Sequence, residues 1–517
     1  MRHRRPAPTH RRPPEALPLQ PEETPVSHVI VIGAGLAGLS AACQVRGLGH
    51  EVTVVEAAHA PGGRGIRLEQ DGFTFDTGPT VLTMTNLVDE AMRAVGTRAE
   101  DVLDLQLLDP AYRARFADGS TILVRHGHEA MREEIARECG AADAAAFDDF
   151  VVWLRTLYEV EMPNFIDTNY DTPLDLLRNP AAAARLVRLG GFGRLGPAIK
   201  NRFADPRLHR LFSFQAMYAG LAPEQALAIY AVITYMDSIE GVWFPRGGMR
   251  EVPEAMARAA AAAGVEFCYD SRIERVLTRR DGAVAGVEVA GGERLAADAV
   301  ICTIDTPTAY DRLLPDLVPP RVLRSPRYSP SAVVWHVGVR GVPSDVAHHN
   351  IHFGHAWEES FDDLLDRGVR MADPSRLVTV PSLDDEGAAP EGCSTLYVLE
   401  PVPNLTAGRI DWEVERPRVR EDLEAFLAQA GYPTDIVTEH LVDPTDWARQ
   451  GMAGGTPFAL AHTFSQTGPF RPANVDRRRP GLFFAGSGTV PGVGVPMVLV
   501  SGKLAARRVE DYLPAAR

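Results

Sequence analysis

Residues 29–56 read VIVIGAGLAGLSAACQVRGLGHEVTVVE, and the reading of this stretch decides the fold. Val29 to Ile32 is a short apolar run, Gly33-Ala34-Gly35-Leu36-Ala37-Gly38 follows at once, and Leu39 to Leu48 has the apolar spacing of a helix. The order is strand, tight turn, helix. Gly33 permits the turn, Gly35 lets a pyrophosphate approach the backbone, and Gly38 lets the helix pack closely on the strand. The helix N-terminus then faces the phosphates. A second strand, Glu51 to Val55, ends in Glu56, where an acid accepts hydrogen bonds from a ribose and disfavours a 2'-phosphate. Taken alone, the stretch suits FAD and NAD equally.

Composition narrows the class. The chain has 517 residues, 45% hydrophobic and 23% charged, which is ordinary for a globular protein of two or three domains. A formal net charge of -15 argues against nucleic-acid binding, which needs a basic surface. Five scattered cysteines, Cys43, Cys139, Cys268, Cys302 and Cys393, form no CxxC pair, which suggests a reducing cytoplasm and no cysteine-ligated metal. His348, His349 and His352 are not followed by a carboxylate at ligand spacing, so no metal site is expected. Residues 1–26, rich in arginine and proline, lack the apolar core of a secretory signal and are expected to be a disordered tail. No apolar run approaches the ~20 residues of a spanning helix, so membrane contact is expected to be peripheral.

The pattern along the chain predicts an α/β protein with a discontinuous Rossmann-like domain, a mixed-sheet substrate domain and an inserted helical region. Residues 27–110 are read as the first part of the nucleotide domain and 111–243 as the helical, membrane-facing region. The nucleotide domain resumes over 244–309, the substrate-domain sheet occupies 310–450, and 451–517 completes the nucleotide domain. Helices are expected at Phe147–Tyr158, Pro223–Met236, Glu251–Ala263 and Pro417–Gly431. Residues 264–304 alternate as antiparallel strands, and Val276 among them is placed at the cofactor.

Two further glycine segments decide between the cofactors, because a nicotinamide needs little beyond the first unit. Gly62-Gly63-Arg64 lies shortly after Glu56, where an arginine can meet a pyrophosphate or a ring carbonyl. Asp76-Thr77-Gly78-Pro79-Thr80 offers backbone amides in a stiff turn. Near the C-terminus Gly486-Ser487-Gly488 and Pro491-Gly492-Val493-Gly494-Val495-Pro496 precede a helix whose N-terminus favours negative charge on a reduced flavin. The set points to FAD.

These segments, with "VIGAGLAGL", "PGGR", "GFTFDTGPTVLT", "SFQAMYAG", "GVWFPRGGM", "YVLEPVP" and "FRPANVDRRRPGLFFAGSGTVPGVGVP" in this order, carry a resemblance covering residues 27–512. The sequence resembles the bacterial and fungal phytoene desaturases, FAD-dependent carotenoid dehydrogenases of the flavin amine oxidase-like superfamily. The resemblance implies non-covalent FAD and stepwise desaturation of 15-cis-phytoene toward all-trans-lycopene. It also implies a cytoplasmic enzyme at the membrane surface, with a quinone or oxygen as acceptor. An acid and an arginine three apart, matched here by Asp175 and Arg178 of "TPLDLLRN", are the catalytic pair it suggests. Thr172 to Asp175 also reads as a capping box. Asp237 is a second candidate acid. A later carotenoid 3,4-desaturase and a flavin-dependent carotenoid cis-trans isomerase are alternatives with the same marks.

Overall fold

The strand His28–Ile32 lies at the centre of a five-stranded parallel sheet ordered Leu482–Phe484, Ala299–Cys302, His28–Ile32, Glu51–Val55, Glu266–Cys268. This computed structural model describes residues 26–513, so the expected N-terminal tail, apart from Val26, lies outside the described residues. The central strand is apolar at every position from Val29 to Ile32 because both faces of a parallel sheet are covered. Val29 and Val31 pack in one core cluster with residues of the first helix, Leu36–Gly47, and of the last, Val495–Tyr512. Ile30 and Ile32 share another with the antiparallel sheet Ile273–Thr278, Val284–Val289, Arg294–Ala296. One sheet thus draws strands from three separated stretches of sequence.

A seven-stranded mixed sheet stands beside it, ordered Asp435–Val442, Ser331–Arg340, Cys393–Val402, Arg376–Thr379, His349–His352, Tyr112–Arg115, Thr121–Val124. Strand alternation divides its faces. Val333, Trp335, Val337, Val339, Leu396 and Val398 bury against the helix Trp412–Ala430. Ala332, Val334, His336, Thr395, Tyr397 and Leu399 take the opposite face, most of them toward the cavity described below. Two strands of this sheet, Tyr112–Arg115 and Thr121–Val124, open the 111–243 stretch that the sequence reading assigned to a helical region.

The helices expected at 147–158, 251–263 and 417–431 are present as Ala141–Glu161, Glu251–Ala262 and Trp412–Ala430. Over 223–236 the structure differs. A 3-10 turn at Ala228–Tyr230 and a short helix at Ala231–Tyr235 pass into a π turn, Met236–Glu240, that stops at Gly241 with φ +100°. The β-branched Ile229, Val232, Ile233 and Thr234 disfavour one continuous helix.

Gly38 carries the closest approach in the first unit, since a Cβ there would lie 2.0 Å from the Gly33 carbonyl oxygen. Gly38→Ala is expected to destabilise the protein by roughly 1–3 kcal/mol and to lower its flavin content. Denaturation midpoints and the flavin-to-protein absorbance ratio measure both, and wild-type values for the two would contradict this packing role.

Candidate active site

A single cavity of about 1190 Å³ runs from the glycine segments of the parallel sheet to the helical region. Of the residues expected to bind the cofactor, Gly33, Gly35, Glu56, Gly63, Arg64, Gly78, Pro79, Thr80, Gly486, Val493, Gly494 and Val495 line it. Gly38, Gly492 and Val276 do not. Gly38 faces the strand it packs on, and Gly492 backs onto the His462 imidazole. Val276 is a correction. It is buried between the antiparallel and parallel sheets, and its N–H donates to the Leu313 carbonyl at 3.2 Å. Ile273 and Glu274, at the start of the same strand, line the cavity instead. That strand leaves the cavity after Glu274 at about 3.3 Å per residue, so Val276 is roughly 7 Å too far along it.

The polar end is held together by its own charges. Glu56 Oε2 accepts the Ala34 N–H at 2.7 Å and Oε1 the Ala58 N–H at 2.8 Å, which pins the glycine turn to the second strand. Each carboxylate oxygen keeps a lone pair for a ribose hydroxyl. Arg64 donates to the Pro457 carbonyl at 2.8 Å and Ser487 Oγ at 2.9 Å, joining the first segment to the last. Burial pulls its guanidinium below the ordinary value, and Asp305 opposes the shift. Two helix N-termini, capped by Gly35 and Gly494 without side-chain partners, meet here. A Cβ at Gly494 would touch nothing within 4 Å, so the second helix end is open to a ligand. Two positive helix ends, a ribose acid and a buried arginine fit the diphosphate and ribose of FAD.

The other end is apolar, with Phe214, Met217, Ile229, Val232 and Ile233 in its wall. Two acids interrupt it. Asp237 is 4% exposed, its Oδ2 has no partner among the described residues, and burial pushes its carboxyl up to about 7. The Tyr112 hydroxyl works in the opposite direction, and Tyr218 lines the same cavity. Glu161, also 4% exposed, has an unpartnered Oε1, and burial holds its carboxyl well above the usual range. Asp237 lies inside one π turn and Glu161 directly before another, Met162–Ile166. Such turns interrupt helix geometry and recur at functional sites.

Asp175 and Arg178 require a correction, because neither lines the cavity. Asp175 Oδ2 accepts the N–H groups of Asp171 at 2.6 Å and Thr172 at 2.9 Å, completing the capping box, and Arg178 pairs with it at 3.0 Å. Those backbone hydrogen bonds hold the Asp175 carboxyl below its ordinary value, the wrong direction for a proton acceptor. His348, His349 and His352 do not converge: they meet Asp384 Oδ2, the Thr80 carbonyl and the Tyr432 hydroxyl respectively.

A family model for flavin containing amine oxidoreductases matches residues 36–510. The chain is 50% identical to a phytoene dehydrogenase of Streptomyces griseus, over 94% of this chain and 95% of the relative. The chain belongs to the phytoene desaturase family of flavin-containing amine oxidoreductases. A zeta-carotene-forming phytoene desaturase of Myxococcus xanthus is 38% identical over 94% of each chain. An oxidoreductase structure from Methanosarcina mazei, 16% identical, covers 94% of this chain and 100% of its own with a TM-score of 0.59, which speaks for the fold. In this family setting the cofactor is FAD.

Two residues at the site, Glu161 and Arg471, escape the sequence reading. Glu161 ends a long amphipathic helix and looks like any solvated helix acid until the fold buries it. Arg471, in the "FRP" motif, is fully enclosed and donates to the carbonyls of Ser487 at 2.5 Å and Thr489 at 3.0 Å, bracing the last glycine loop. The motif is visible in sequence, but its role as a brace needs the loop beside it.

The raised carboxyl of Asp237 has a stability consequence. Its preference for the neutral form is fully present below the ordinary value of 3.8 and is lost as pH rises through about 7. Asp237→Asn is therefore expected to lose less stability than wild type between pH 5 and pH 8, by roughly 1–3 kcal/mol. Denaturant unfolding of both proteins at the two pH values measures it, and parallel pH profiles would remove the buried-acid assignment.

Proposed function

We propose that the protein is an FAD-dependent carotenoid desaturase that removes hydrogen stepwise from 15-cis-phytoene toward all-trans-lycopene. One observation carries this reading: a buried acid, Asp237, with an unpartnered carboxylate oxygen stands in the apolar end of a cavity whose other end has the form of a dinucleotide cradle. FAD, when bound, supplies the group that takes hydride from an allylic carbon. The chain supplies the rest. Ionised Asp237 accepts the proton from the neighbouring carbon, and the Tyr112 hydroxyl steadies its charge. The apolar wall aligns a substrate that has no polar handle, because burial is worth about 0.8 kcal/mol per methylene relative to water but almost nothing relative to lipid. Walls of this kind also exclude water from the reacting carbons.

Delivery of such a substrate fits a peripheral membrane contact. Leu174, Leu177, Val187 and Phe464 are 61–73% exposed, and their neighbours Leu176, Leu186 and Phe470 line the cavity. An apolar rim beside an apolar cavity is the arrangement expected at a lipid surface. No helix among the described residues is long and apolar enough to cross a membrane. A quinone or oxygen serves as the final acceptor in this reading.

The test is anaerobic mixing of FAD-loaded protein with liposomal 15-cis-phytoene, following flavin bleaching and extracting the pigments. Bleaching with stoichiometric formation of more conjugated products is expected, at a rate that rises with pH through about 7 as Asp237 ionises. Asp237→Asn is expected to slow bleaching about 10²-fold. Unchanged flavin and unchanged phytoene in folded protein would sink the assignment. Leu174→Ser with Phe464→Ser is expected to weaken co-sedimentation with vesicles, and undiminished binding would remove the rim from the proposal.

A further inference from the structure

Two aromatic side chains mark where the apolar end of the cavity meets the surface. Phe192 and Phe464 both line the cavity, yet they are 48% and 61% exposed. The Phe464 ring lies 5.6 Å from that of Phe470, whose turn, Gly468–Phe470, packs against the turn Pro173–Leu177 that carries Leu174 and Leu177. That turn packs in its own right on the helix Pro180–Arg188, which carries Val187. The exposed apolar residues therefore sit on adjoining elements around one mouth.

Charge at this mouth runs against that of the molecule. The chain has a formal net charge of -15, but from Leu176 to Arg202 it carries six basic residues and no acid. Residues 451–475, which bring in Phe464, contain no acid either. Three of the six cations are free at the surface. Arg185 and Arg188 are exposed without an ion pair among the described residues, and exposed Arg194 reaches only the Gln225 carbonyl. The other three are occupied: Arg178 pairs with Asp175 at 3.0 Å, Lys200 with Glu224 at 2.9 Å and Glu358 at 2.6 Å, and the Arg202 guanidinium lies 4.0 Å from the centre of the Trp153 ring. Asp171, the remaining acid beside the Pro173–Leu177 turn, is held by Arg508 at 2.6 Å and Arg477 at 2.8 Å. The neighbouring helix Ala141–Glu161 exposes Arg155 and Glu159, four residues apart and of opposite sign. The uncompensated charge at the mouth is thus positive.

Helix periodicity fixes where two of these cations stand. In Pro180–Arg188, Ala182 and Leu186 are buried four residues apart, and Leu186 lines the cavity. Arg185, Val187 and Arg188 are exposed on the remaining arc. Asn179 caps the helix by accepting the Ala182 N–H at 3.1 Å, and the Leu189 carbonyl just beyond its end accepts the Trp153 Nε1–H at 2.9 Å. One short, anchored helix is therefore cavity wall on its inner side and an apolar, basic surface on its outer side.

A protein of negative net charge is repelled by an anionic bilayer at long range, but at about 0.1 M salt only charges within about 10 Å of the contact count. Cations beside an apolar rim reverse the local sign. Arginine stems lie along apolar surface while their guanidinium groups meet phosphate oxygens.

We propose that Arg185, Arg188 and Arg194 form an anionic-phospholipid site around the cavity mouth, by which the protein docks on bilayers with negative headgroups. The proposal rests on the reading of the apolar rim as the lipid-facing surface and adds the class of lipid that this surface selects. With the guanidinium groups at headgroup depth and Phe192 and Phe464 below them, the cavity opens into the acyl layer, where a hydrocarbon substrate dissolves.

The test is co-sedimentation of full-length, FAD-loaded protein with vesicles of phosphatidylcholine alone and of phosphatidylcholine mixed with phosphatidylglycerol, at low and at high salt. Wild type is expected to bind the anionic vesicles more tightly, with the difference collapsing at high salt. The triple variant Arg185→Gln, Arg188→Gln, Arg194→Gln is expected to bind anionic vesicles about 10²-fold more weakly, roughly fivefold per arginine, with neutral-vesicle binding unchanged. The matching triple lysine variant is expected to keep wild-type selectivity, because a fluid headgroup layer reads charge more than fork geometry. All variants retain the arginines of residues 1–26, so their contribution cancels in the comparison. Wild-type affinity of the glutamine variant for anionic vesicles would overturn the site and leave the rim standing. Equal losses on neutral and anionic vesicles would overturn it as well, since the effect would then not be electrostatic. If the triple variant fails to fold, Arg188→Gln alone decides, with a fivefold loss expected and no loss against the site. Failure of wild type to bind either vesicle would remove the rim, and the site with it. Capture of polyglutamate without vesicle binding would assign the arginines to an acidic protein instead.

Discussion

The site depends on the contact between the first helix and the last. Gly502 lies so close to Leu36–Gly47 that a Cβ there would stand 2.4 Å from the Ala37 carbonyl oxygen, and Ser40 Oγ donates to the Leu499 carbonyl at 2.8 Å beside it. Two helices separated by more than four hundred residues of chain are thereby locked together with both N-termini at one cavity. Their positive ends reinforce each other at the same end of the cavity, where they favour negative charge. Arg64 and Arg471 complete the lock by hydrogen bonding backbone and side-chain oxygens around the last glycine loop.

The opposite end of the cavity works by the absence of such partners. A carboxylate in water or under backbone N–H groups stays ionised well below neutrality, as Asp175 illustrates. Asp237 has lost water and received little in return, so its proton affinity moves toward neutrality, where uptake and release both come within reach. The two carboxyls differ by environment alone. Capping serves a helix end in one case, and isolation in an apolar wall raises proton affinity in the other.

Much of this was legible from residue patterns. The glycine turn, its flanking strands and Glu56 announce a dinucleotide site because backbone approach and helix ends impose strict local requirements. The C-terminal glycine loop announces itself for the same reason. Val276 was misplaced because alternation reports which face a residue occupies, whereas distance along the strand decides whether it reaches the ligand. Asp175 was ambiguous because one spacing, an acid three residues after a threonine, serves both a capping box and a helical pair. The break within 223–236 is hidden because apolar periodicity does not register the 3-10 turn at Ala228–Tyr230.

Local sequence by itself determined the cofactor class, the parallel-sheet core and the membership of three distant segments in one nucleotide site, since these rest on short-range backbone chemistry. Only the tertiary structure decided which acid stands in the apolar wall, that Glu161 is buried, and that Phe192 and Phe464 line one cavity. Proton affinity and water access are set by everything packed around a group, and those neighbours come from elements hundreds of residues apart.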